Sequence, residues 1–229
     1  MSDFKVRHLK KPENTRKESN MSDWNEPHIR LAADSLDLIV RKPLIDGGNV
    51  HAATYLACSA WMAGTILYRL EVDGRIDVKP GTVVLCEEVN VRLPECFNLI
   101  AAMAARGDSG DEAIESLEAA SCDERRLTLQ QARDTFEAVY WAFARRQGLT
   151  AAELVLAATL STAVAAANCR PAMGLKATTH LAHYSMLEAS KTAPGPRPTI
   201  TERKAHLKKL TAILPPLTWS KRLALLFKP

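Results

Sequence analysis

Apolar residues return along this chain at helical spacing, and in two stretches charged positions vanish altogether. From Pro27 onward, Ile29, Ala32, Ala33, Leu36, Ile39 and Val40 recur at three- and four-residue steps, which is one stripe of a helix. Pro43 and Asp46-Gly47-Gly48 close that element. Residues 52–68, AATYLACSAWMAGTILY, carry no charge on any face. This predicts a central helix of a bundle, introduced by Asn49 as its N-cap. The run is shorter than the roughly 20 apolar residues of a bilayer span and is diluted by Thr54, Ser59, Gly64 and Thr65. Ala57, Ala60 and Gly64 leave room for a neighbouring helix to come close.

Beyond it, Asp73-Gly74 lies between Leu70/Val72 and Ile76/Val78, and residues 89–93 alternate. Together they predict a small β-hairpin near residues 70–93, with a frayed helix end as the competing reading. Pro94 then opens a helix that Gly107 ends. Residues 108–124 are acidic with a thin stripe of Ile114 and Leu117, the pattern of a surface helix. Thr128 caps a helix that sets Ala132, Phe136, Val139, Tyr140 and Phe143 along one side, and Gly148 stops it. Thr150 and Glu153 form a capping box ahead of residues 154–169, a second uncharged central helix. Pro171 begins a last body helix that runs to about Ser190, and APGPRP then breaks the chain into an extended linker.

The expected fold is therefore all-α. A single multi-helix, bundle-like domain over residues 24–190 is built around two very apolar helices. A flexible basic arm (1–23) precedes it, and a Pro-rich linker (191–200) leads to a basic amphipathic helical segment (201–229). Composition agrees: 47% of residues are hydrophobic and glycines number only 10, while alanine and leucine, the good helix formers, dominate. The arm shows no apolar run of a secretory signal, and Met21-Ser22-Asp23 repeats the opening Met1-Ser2-Asp3, so Met21 is a second candidate start. Five cysteines without C-x-x-C spacing suggest free thiols and a cytoplasmic setting.

Charge changes the picture more than composition does. Residues 1–20 hold six basic and three acidic side chains, residues 21–190 fifteen and twenty-two, and residues 191–229 nine and one. An acidic body thus carries basic ends. In the last segment Trp219, Leu223, Leu226 and Phe227 fall on one helical stripe, with Lys221 and Arg222 off it. Such a stripe needs an apolar surface as well as negative charge. The body of the same chain or of a second copy comes first among its expected partners, giving a homo-oligomer. Another protein's groove and an anionic membrane surface follow. Nucleic acid ranks last, because a stacking, arginine-rich face is missing.

Signatures of catalysis are weak. His180 and His183 stand three apart near Tyr184 and outline a candidate pocket, but H-E-x-x-H is absent and no third metal ligand falls at a neat spacing. The helical stripe through Met173, Ala177, His180, Tyr184 and Leu187 makes His180 a hydrogen-bonded core histidine. Glu87, Glu88 and Glu95 do not converge by spacing. Cys58 and Cys169 sit in apolar surroundings that make a thiol inert. The pairs Arg125-Arg126 and Arg145-Arg146 flank one helix, and the element after them is too apolar to read DNA. No catalytic residue, metal or cofactor is assigned. The leading functional reading is a non-catalytic interaction or adaptor protein that assembles through its C-terminal segment. A helical ligand binder or enzyme, and a peripheral membrane or nucleic-acid protein, are the alternatives.

Overall fold

The computed structural model describes residues 26–46, 49–75, 77–106, 117–118 and 124–197. The basic arm, Cys122 and the amphipathic segment 201–229, with Trp219, Lys221, Arg222, Leu223, Leu226 and Phe227, lie outside the described residues. The fold is all-α. Six helices occur among the described residues: α1 (Pro27–Arg41), α2 (Ala52–Glu71), α3 (Glu87–Arg106), α4 (Leu129–Gln147), α5 (Ala151–Met173) and α6 (Leu175–Lys191). A three-stranded patch accompanies them. In it β1 (Ile45–Asp46) pairs antiparallel with β2 (Asn49–His51), and β2 pairs parallel with β3 (Leu117–Glu118).

Helices α2 and α5 form the centre, and each of the others packs on one or both of them. The uncharged runs explain this arrangement, since a helix apolar on every side finds partners on every side. Helix α2 is buried from Ala52 through Arg69, and α5 from Leu154 through Cys169. Helix α5 is long and apolar enough to cross a membrane by length and composition, yet 89% of that stretch is buried inside the bundle. The predicted stripe of α1 is buried at all six positions, as are the five positions named on α4. Both Thr128 and Thr150 make reciprocal capping boxes, with Gln131 and Glu153 respectively, and Gly148 ends α4 in the left-handed region at φ 70°.

Several local expectations are corrected. No hairpin forms near residues 70–93 among the described residues. Glu71 ends α2, the chain turns through Val72–Arg75 with Gly74 at φ 80°, and residues 89–93 belong to α3. Pro94 and Pro171 lie inside α3 and α5 rather than opening helices. Both prolines are exposed, and so is Asn90, where water can serve the carbonyl that Pro94 leaves without a donor. His51, not Asn49, caps α2, its ring nitrogen accepting from the Thr54 backbone N–H. Asn49 is instead drawn into β2 by pairing with Asp46. In the acidic segment Leu117–Glu118 is a strand rather than part of a helix, and its neighbours 107–116 and 119–123 are outside the described residues. His180 is exposed. The buried face of α6 runs instead through Thr178, Leu181, Ala182, Ser185, Met186 and Ala189.

Candidate functional site

Among the described residues, a group of buried arginines and backbone hydrogen bonds surrounds the chain that leaves α6. Arg133 on α4 is 4% exposed and extends beneath this exit. Its Nε donates to Thr65 Oγ1 at 3.0 Å, and its Nη2 donates to the carbonyls of Ala189 at 2.9 Å and Thr192 at 2.7 Å. Burial lowers its pKa from the usual arginine value to about 10, against the opposing pull of Glu137, so it stays charged at neutral pH. Arg69, also 4% exposed, donates to Glu137 at 2.7 Å and to the Gly195 carbonyl at 2.7 Å. Arg197 pairs with Asp73 at 2.5 Å and lies over the Trp141 ring at 5.2 Å. Residues 192–197 are thereby held as a strap, fastened by three arginines from beneath and from its own end.

The strap is also paired along its backbone. Ala193 N donates to Thr82 O, Gly81 N to Ala193 O, and Val84 N to Lys191 O, at 2.7 to 2.8 Å. Between strap and turn lies an open cleft of about 520 Å³, lined by Tyr68, Arg69, Asp73, Arg75, Pro80 and Arg197 among others. Its carboxylates and guanidiniums are largely committed to one another, Asp73 to Arg197 and Arg69, and Arg75 to Glu88 at 2.7 Å. The arrangement immobilises backbone and sets the direction in which the following chain departs.

The sequence-derived pocket residues are distributed differently. His180 and Tyr184 are both exposed and stack with ring centroids 6.4 Å apart. His183 faces α3, where its Nε2 donates to Phe97 O at 3.1 Å and its ring stacks on Phe97 at 4.4 Å. Arg125 lies over Trp61 at 5.3 Å and Tyr184 at 6.0 Å and reaches Glu188 at 3.7 Å, while Trp61 Nε1 donates to Glu188 at 2.8 Å. This arrangement seals the chain entering α4 onto α2 and α6. Glu88 is bound to Arg75 and accepts from Cys86 Sγ, whereas Glu87 and Glu95 face solvent. The carboxylates therefore do not converge. The four described cysteines are free and buried, and burial pushes their thiols up, Cys58 to about 12. Among the described residues no three potential metal ligands come together.

Burial lowers the pKa of His183, and the nearby His180 adds to the effect. The folded state thus disfavours the proton that the unfolded chain takes up below the usual histidine pKa. Stability from this group is complete above the unfolded pKa and is lost as pH falls below it. The urea midpoint is expected to drop between pH 7 and pH 5, with a shallower drop in His183→Asn. Parallel profiles for the two proteins would rule the histidine out as the cause.

The anchoring arginines escaped sequence reasoning. One local signal was available: Arg69 is the first charge after the uncharged run 52–68 and so remains in the centre of the bundle. No protein-family model, no curated protein and no solved structure matches the chain.

Proposed function

We propose that this is a non-catalytic helical interaction protein that assembles with itself through its C-terminal segment, residues 201–229. One observation carries the reading. The route from the body to that segment is not a loose tether up to Arg197, because Arg133, Arg69 and the Asp73–Arg197 pair fix it in place. Ordering the root of a segment lowers the entropy that must be lost when the segment binds. A basic, amphipathic end presented from a fixed point on an acidic body suits docking against protein, and the free, buried thiols suit a reducing, cytoplasmic setting. The test compares the full chain with one ending at Arg197 by light scattering during size-exclusion chromatography. The full chain is expected to run as an oligomer, weakened by added salt, and the shortened chain as a monomer. Equal masses per chain for the two would refute the reading.

A further inference from the structure

Three apolar side chains, two on the segment that enters α3 and one in its early turns, remain in solvent. Val83, Leu85 and Val91 are 68%, 65% and 66% exposed. The first two alternate with buried Val84 and Cys86 along the extended segment that enters α3, so both face outward. On α3, Val91 shares the solvent face with Glu87 and Glu95, one turn before it and one turn after. On α3 an apolar side chain and two carboxylates are therefore interleaved, and exposed Val83 and Leu85 lie just before them in the chain. Residues 201–229 offer the complement: a stripe of Trp219, Leu223, Leu226 and Phe227 beside Lys221 and Arg222.

The exit of the chain decides whose segment arrives. Because 191–193 runs antiparallel to 82–84, residues 191–197 step back from α3 towards the 72–75 turn, where Arg197 meets Asp73. Pro194 and Pro196 stiffen that heading. The last described residues, up to Arg197, thus lead away from the α3 face of their own body. We propose that the face formed by Val83, Leu85, Glu87, Val91 and Glu95 receives the C-terminal segment of a second copy, in a reciprocal exchange. The exchange is a two-fold arrangement in which each chain both gives and receives. This rests on the assembly reading above and names the surface that it needs.

The test uses full-length chains. Leu85→Glu/Val91→Glu places charge on the receiving face at positions where solvent already reaches, so its melting curve should match that of the truncated wild-type body when both are truncated alike. Trp219→Glu/Leu223→Glu spoils the stripe and leaves the face intact. Light scattering should give a dimer for the wild type and roughly tenfold or weaker association for each variant alone. Mixing the two variants leaves one intact face and one intact segment per pair, so a heterodimer should appear. A Leu85→Glu/Val91→Glu chain that keeps its dimer while Trp219→Glu/Leu223→Glu loses it would overturn the face and spare the assembly reading. Two monomeric variants that fail to complement would overturn exchange between copies. A monomeric wild type would overturn both readings.

Discussion

Gly64→Ala is expected to destabilise the protein by about 2 kcal/mol net, although alanine is the better helix former. Replacing a mid-helix glycine ordinarily gains roughly 1 kcal/mol of backbone entropy. Here a Cβ on Gly64 would overlap the Met186 carbonyl oxygen, with Ala189 Cβ at 2.9 Å and Ser190 N at 3.0 Å. All three belong to α6, and two are backbone atoms, so no rotamer change relieves the contact. Either α2 and α6 separate or α6 unwinds locally, and overpacking of that kind costs on the order of 3 kcal/mol. The cost exceeds the gain, and thermal unfolding should show a midpoint lower by roughly 4–8 °C. An unchanged or raised midpoint would mean that α6 yields freely and that the close approach does not hold the pair together.

That same approach explains why α6 was misread from sequence. The regular apolar spacing of Met173, Ala177, His180, Tyr184 and Leu187 pointed to one face, but the helix turns a different one inward. The buried face is rich in small residues, Ala182, Ser185 and Ala189, because contact with α2 at Gly64 selects for size before hydrophobicity. Thr178 is buried there without penalty, since its hydroxyl donates back to the Gly174 carbonyl at 2.8 Å. Hydropathy alone cannot distinguish a small polar residue satisfied by its own helix from a solvent-facing one.

Features that were legible are those a few neighbouring residues determine. The stripe of α1, the cap at Thr128, the capping box at Thr150 and the two uncharged helices each involve contacts within about one turn or a single face. The boundary at Pro94 failed because water can replace its missing hydrogen bond at exposed Asn90, and exposure is a tertiary property; Pro171 falls in the last turn of α5, which ends at Met173. The candidate site was hidden for a related reason. Arg133 meets Thr65 and Ala189, which lie 68 and 56 residues away in the chain, and no periodicity records such a meeting.

Arg133→Met should be the most damaging polar substitution in the body, at about 3–5 kcal/mol. Methionine fills much of the same volume but offers no donors. The carbonyls of Ala189 and Thr192 and the Thr65 hydroxyl each lose a partner at once, two of them in the buried centre of the bundle and Thr192 at its part-buried margin. Glu137 retains Arg69, so the loss falls on the strap rather than on the carboxylate. Arg197→Ala provides the contrast. Its ion pair with Asp73 is 47% exposed on the arginine side, and removing it should cost well under about 1 kcal/mol. Hydrogen exchange separates the two effects. In Arg133→Met the amides of Gly81, Val84 and Ala193, which tie the strap to residues 81–84, should exchange far faster than those at the centre of α5. Uniform loss of protection across the bundle would show that Arg133 supports the core as a whole. Retention at all three amides would show that the strap stays in place without it, and the fixed exit on which assembly is argued would need another cause.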